Sequence, residues 1–251
     1  NVLPFVPFVT TPVVSTFHDP FTQSMKDISL AYGQGNNLFF TSLSLSHSKG
    51  VAVGMEPPVV VYNGIPIEQY PYAETGGEYF LSCGRIVPKK GHEDAIAAVG
   101  TTEKLVIAGK YYKNDPNTYA YWMVKIFPAI DGKRIRYVPF ARDDSYKQLL
   151  AGAKALLFPI KWDEPFGLVM VEAMACGTPV IAYNRGSVPE IVKDGVTGFI
   201  VDHERGVEGL VAAMERIGEI DRSVCRKHVE DHFTVEKMVT GYERVYKKVL
   251  T

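Results

Sequence analysis

The chain has 251 residues, with 27 Lys and Arg against 28 Asp and Glu, a formal net charge of −1, and 46% hydrophobic residues. That balance argues against a dominant electrostatic attraction to nucleic acid or an anionic membrane. The apolar content suits one large or two modest cores, because single cores stop growing at roughly 250–300 residues.

The first nine residues are apolar but lack an initiator Met and a basic start, and Pro4 and Pro7 interrupt them. They do not read as a signal peptide. No apolar run reaches the roughly 20 residues of a membrane helix. The segment reads as the interior of a larger protein. Residues 13–17, 38–41 and 59–62 follow as three strands of an α/β sheet, too few for a complete domain. The run 38–41 is expected to be an exposed apolar edge. Residues 66–77, with Pro71, Gly76 and Gly77, read as a linker.

From residue 78 onward the pattern changes. Six near-continuous apolar runs, at 79–82, 104–108, 135–138, 155–158, 179–182 and 198–201, alternate with helical stretches at about 92–99, 144–152, 167–175, 188–192 and 206–217. Such runs suit strands buried on both faces of a parallel sheet, and the alternation predicts a doubly wound α/β domain. Thr234 can cap a last helix running to about Leu250. Cys83, Cys176 and Cys225 are widely spaced and form no C-x-x-C pair, which points away from a disulfide scaffold or zinc ribbon and toward a reducing cytoplasm. Cys176, at a helix end, reads as packing rather than as a nucleophile.

In an open parallel sheet, ligands bind beyond the carboxyl ends of the strands. There the sequence places Gly84-Arg85 with Lys89-Lys90-Gly91, then Gly109-Lys110, Pro139-Phe140, Asp163-Glu164-Pro165-Phe166-Gly167, and Asn184-Arg185-Gly186-Ser187. Glycines admit close backbone approach and the cations suit phosphate oxygens. Glu172 is the one charge on an otherwise apolar helix, eight residues after Glu164. Two carboxylates near free helix amides suit a sugar attached to a phosphate. The alternative is that Glu172 pairs with a structural Arg or Lys.

These residues resemble the signature of the family-four retaining glycosyltransferases, also called group 1. The match runs through Glu164-Pro165-Phe166-Gly167 and Glu172-Ala173-Met174-Ala175-Cys176-Gly177-Thr178-Pro179-Val180. It extends to the Gly84–Gly91 segment, to Gly186-Ser187-Val188-Pro189-Glu190-Ile191-Val192, to Asp194-Gly195-Val196-Thr197-Gly198-Phe199 and to Tyr62-Asn63-Gly64-Ile65. The resemblance implies a GT-B fold, α/β with two Rossmann-like domains facing across a cleft, the N-terminal one incomplete here. Residues 1–65 would be its acceptor-side remnant, 66–77 the linker, 78–233 the donor domain, and 234–251 a helix packing back on the first domain. About 80–120 further N-terminal residues are expected, a typical domain complement.

By the same resemblance, Arg85 and Lys90 hold the donor diphosphate and Glu164 contacts the sugar. The backbone of Phe166, Gly167 and Leu168 does likewise, near Gly84, while Glu172 takes the ribose hydroxyls. Val138, Pro139 and Phe140 lie near the base, and His18 faces the donor across the cleft. The alternative for His18 is a helix cap or core packing. His47 and His92 receive no role. No D-x-D motif is present, and Asp143-Asp144 follow a different strand. The expected activity is metal-independent, retaining hexosyl transfer in the cytoplasm from a UDP-, GDP- or ADP-sugar to an unidentified acceptor, without a cofactor. No nucleic-acid partner or transmembrane segment is expected, and any peripheral membrane contact falls to the absent N-terminal part. The competing readings are a nucleotide-sugar epimerase of the same fold and a donor-binding fragment without transfer.

Overall fold

The computed structural model describes residues 3–32, 37–50, 58–139 and 144–250. A 3-10 turn at Leu3–Phe8 leads into β1 (Val13–Thr16), α1 (Gln23–Tyr32), β2 (Leu38–Ser42), α2 (Leu45–Ser48) and β3 (Val59–Val60). The three strands are parallel, in the order β1-β2-β3. The run 38–41 is therefore the central strand, not an exposed edge. Its Phe40, Thr41 and Ser42 are buried, as continuous β-branched and aromatic character requires when both neighbours pair. β3 stops at Val60, short of the 59–62 run. Tyr62 leaves the strand, packs on Phe166 and Phe233, and donates its hydroxyl to Glu190 at 3.0 Å.

The second part comprises β4 (Tyr79–Cys83), α3 (His92–Val99), β5 (Lys104–Gly109), α4 (Pro116–Tyr121), β6 (Ile135–Pro139), α5 (Asp144–Ala151), β7 (Ala153–Phe158), α6 (Leu168–Ala175), β8 (Val180–Tyr183), α7 (Val188–Ile191), β9 (Gly198–Val201), α8 (Gly206–Glu215), α9 (Arg222–His232) and α10 (Val235–Leu250). Its six parallel strands lie in the order β6-β5-β4-β7-β8-β9. The chain winds from β4 outward to β6, then returns to the other side of β4 to start β7. That reversal is a topological switch point, where the loops after β4 and β7 part and leave a crevice at their carboxyl ends. Leu81, Ile107, Leu156 and Ile181 are fully buried, so the apolar runs form the spine of this core.

The apolar periodicity does not single out α1, α4 or α9. The α9 helix is mostly polar; it buries Cys225 and Val229, and a buried cation, Arg222, adds a dense set of hydrogen bonds. Arg222 donates from Nε to the Ala73 carbonyl at 2.8 Å, from Nη1 to Ala153 at 2.9 Å, and from Nη2 to Ala151 and Thr178 Oγ1, each at 2.8 Å. It ties the segment before β4 to the start of β7. The last helix, α10, returns to the first sheet: Tyr242 shares a hydrogen bond with Thr16 at 3.1 Å, the Gly64 amide reaches Met238 Sδ at 3.3 Å, and Ile65 bridges to Thr234. Among the described residues, no helix is long and apolar enough to cross a membrane.

Candidate functional site

A cleft of about 400 Å³ opens at the switch point. His18 and Asp19, just past the end of β1, form one wall; both are exposed, so His18 does not fill the core. The floor comes from Cys83 at the end of β4 and Gly84 and Arg85 after it, with Lys90 beyond them. Lys110 and Tyr112 follow β5, and Trp162, Glu164, Gly167 and Leu168 follow β7. Tyr146 and Glu172 close the inner end. Of the expected site residues, His18, Gly84, Arg85, Lys90, Glu164, Gly167, Leu168 and Glu172 thus meet in one cavity.

Others do not. Val138 and Pro139 end β6, one strand beyond Gly109, and do not line the cleft. Phe140 lies outside the described residues. The Phe166 ring is buried against Tyr62 and Phe233, and its carbonyl accepts from Ser187 Oγ at 2.8 Å. The loop after β8 is a support rather than part of the ligand rim. The Ser187 amide donates to the Glu164 carbonyl at 2.9 Å. Gly186, at φ 57°, lies so close to Glu164 that a β-carbon there would overlap its backbone. Only glycine meets both the positive φ and that approach.

One ion pair lies in the cleft among the described residues. Lys90 Nζ lies 2.5 Å from Glu164 Oε2, and the same oxygen accepts from Trp162 Nε1 at 3.1 Å. Lys89 stacks over the Trp162 ring, 3.7 Å from its centroid. Arg85 is exposed, and among the described residues it forms no salt bridge. Among the described residues, Glu172 is not paired with an Arg or Lys. Its two oxygens accept from Tyr70 and Tyr146 hydroxyls at 3.0 and 2.6 Å. Burial first, then the neighbouring acidic groups, push the Tyr146 phenol well above its usual range, so it stays a hydrogen-bond donor. Gly167, at φ 76°, begins α6, and the first amides of a helix have no partner within it. Those amides and the helix dipole favour negative charge or hydroxyl oxygens at the cleft.

Two features carry no signal at the sequence level. Burial pushes the Cys83 thiol up to about 12, so this cleft cysteine is a poor nucleophile. His92 is wholly buried and joins Ser82 Oγ to the Arg85 carbonyl, at 2.8 and 3.1 Å. A carbonyl can only accept, so Nε2 carries the proton and Nδ1 accepts from Ser82. Desolvation lowers its pKa to about 4. His92 therefore fixes the bend that presents Arg85, a role assigned by the contacts of its two ring nitrogens.

Comparison with known proteins identifies the family to which this arrangement is similar. The family profile for glycosyl transferases group 1 matches residues 68–229. The putative glycosyltransferase YtcC of Bacillus subtilis is 30% identical over 233 residues, covering 76% of this chain and 54% of that protein. Glycogen synthase of Mycobacterium tuberculosis is 31% identical over 214 residues, covering 77% and 49%. The chain spans about half the length of the curated relatives it matches. Among solved structures, Anabaena HepE in complex with UDP and glucose superposes with a TM-score of 0.79 at 20% identity, covering 96% of this chain and 72% of that one.

Proposed function

Because the chain belongs to the group 1 glycosyltransferases, we propose that it transfers a hexosyl group from a nucleoside-diphosphate sugar to an acceptor, with retention at the anomeric carbon and without a metal. The observation that carries this reading is the gathering of Arg85, Lys90, Glu164 and Glu172 in one cleft between the two sheets. Two Rossmann-like units facing across that cleft, residues 1–65 and 78–233 joined by 66–77, fit the two sheets. The contacts of α10 with Thr16 and Gly64 fit a closing helix over 234–251.

In this reading the diphosphate lies across Gly84 between Arg85 and Lys90. Departure of the nucleoside diphosphate builds negative charge on its oxygens, and two preorganised cations stabilise that charge more than they stabilise the bound donor. Glu164 and the amides at Gly167 and Leu168 hold the sugar. Glu172, oriented by Tyr70 and Tyr146, takes the ribose diol. His18 meets the sugar from the opposite wall. A UDP-sugar is the first donor to test, because the Anabaena structure holds UDP and glucose. A cytoplasmic setting suits three buried free thiols.

The test is a mass-spectrometric screen of donor hydrolysis and transfer by the protein at its full encoded length, over UDP-, GDP- and ADP-sugars with and without EDTA. NMR of the new glycosidic bond reads the anomeric configuration. Turnover that survives EDTA and is lost in Arg85→Ala/Lys90→Ala supports the reading. Inversion, or turnover indifferent to both substitutions, overturns it.

A further inference from the structure

One short segment, Gly186–Glu190, touches both walls of the cleft without lining it. On the donor side, Ser187 holds the backbone of Glu164 and Phe166 through its amide and hydroxyl. On the other side, Glu190 reaches the first sheet. Its Oε2 accepts from the Leu45 amide at 2.7 Å and from the Tyr62 hydroxyl at 3.0 Å, and its Oε1 accepts from the Ser46 amide at 2.8 Å. Leu45 and Ser46 open α2, where amides lack helical partners, so the carboxylate supplies the missing acceptors. The same helix carries His47. Its ring accepts from the Leu43 amide at 3.3 Å, and its Nε2 bonds the Asp19 carbonyl at 3.0 Å. Asp19 and its neighbour His18 form the wall that faces the donor.

The hydrogen bonds therefore run unbroken from Glu190 through α2 and His47 to the backbone beside His18. Starting from Ser187, three residues earlier, they run to Glu164. Both walls are referenced to the same few residues of α7 and the turn before it. This geometry assigns to Glu190 a positioning role: it sets the placement of the His18–Asp19 wall relative to the donor wall. Ordinary helix capping of α2 does not require a carboxylate from more than 140 residues away in sequence. Ser44 already caps α2 locally, accepting from the His47 amide at 3.0 Å. What Glu190 adds is the span between the two sheets.

The inference rests on the proposed transfer activity for its kinetic consequence, but not for its structural one. The test uses the protein at its full encoded length and compares wild type with Glu190→Gln, Glu190→Ala and Tyr62→Phe. Hydrogen exchange reads the amides of residues 13–21 and 44–48, calorimetry reads UDP affinity, and donor turnover is split into kcat and KM. The expected result is faster exchange at 44–48 and 13–21 and UDP affinity within about twofold. Turnover number should fall about 10- to 100-fold, as a wall displaced by about 1 Å predicts, with Glu190→Gln milder than Glu190→Ala because its amide oxygen keeps one acceptor. Tyr62→Phe, which spares both amide bonds, should resemble wild type in exchange at 13–21. Unchanged exchange at 13–21 in Glu190→Ala overturns the positioning role. So does a parallel loss of UDP affinity and turnover with a lowered unfolding midpoint, which marks a general structural effect. If wild type turns over no nucleotide sugar, the function reading fails, and exchange at 13–21 still decides the coupling.

Discussion

Replacing Glu164 by Gln should tighten the binding of UDP while impairing sugar transfer. Lys90 Nζ lies 2.5 Å from Glu164 Oε2, and the two side chains are only 14% and 12% exposed. A diphosphate that takes the Lys90 ammonium must first draw it from this carboxylate. The amide keeps a hydrogen bond to the ammonium but removes the opposite charge; for this largely buried pair, between the exposed regime of up to about 1 kcal/mol and the buried one, Lys90 is held less firmly by about 1–2 kcal/mol. Released to the ligand, that difference is a dissociation constant roughly 5- to 30-fold lower. Calorimetry with UDP and with inorganic pyrophosphate measures it without involving the sugar. A Lys90→Ala background supplies the control, since the gain must vanish when the cation is gone. Transfer from a UDP-sugar should fall in the same variant, because the carboxylate also faces the sugar. UDP affinity that is unchanged or weaker in Glu164→Gln refutes the competition between carboxylate and diphosphate.

Three further outcomes are expected. Glu172→Gln replaces one of the two acceptors used by Tyr70 and Tyr146, so UDP should weaken by about 1–2 kcal/mol while pyrophosphate is scarcely affected; equal weakening in calorimetry counts against the ribose role. Arg222→Ala removes the guanidinium donor from two buried carbonyls, those of Ala151 and Ala153, from the part-buried Ala73 carbonyl and from Thr178 Oγ1, and urea unfolding should show a loss of about 3 kcal/mol or more; a loss below about 1 kcal/mol contradicts that anchoring. Burial lowers the His92 pKa to about 4 from the usual 6.5 of a free histidine, so between those values the unfolded chain binds a proton that the native one refuses. Stability should therefore fall by about 3 kcal/mol as pH drops from 6.5 to 4 and owe no further loss to this group below that; the same decline in His92→Gln assigns it elsewhere.

The sequence determined the donor-side sheet almost by itself. Runs such as Leu105–Ala108 and Leu156–Phe158 are apolar without alternation because both faces are covered, and that property is local. Gly84-Arg85, Lys90 and Glu164 were legible too, since each lies in a loop beyond the carboxyl end of such a run, where a parallel sheet exposes its loops, and Glu172 was legible as the one charge on an apolar helix. Polar elements were not legible in this way. Periodicity does not reveal α9, because beside the few apolar residues it buries, Arg222 and Arg226 hold it through carbonyls that only the folded chain assembles. The run 38–41 looked like an edge because the sequence does not say which strands become neighbours. Tertiary structure alone decided that Glu172 is met by the hydroxyls of Tyr70 and Tyr146, and that His92 carries the Arg85 bend. It also turned the loop at Gly186–Ser187 from a ligand rim into a brace. Each of these depends on partners 7 to more than 100 residues away. A residue's chemistry can be read in one dimension, whereas the partner that fixes its role is chosen only when the strands are placed side by side.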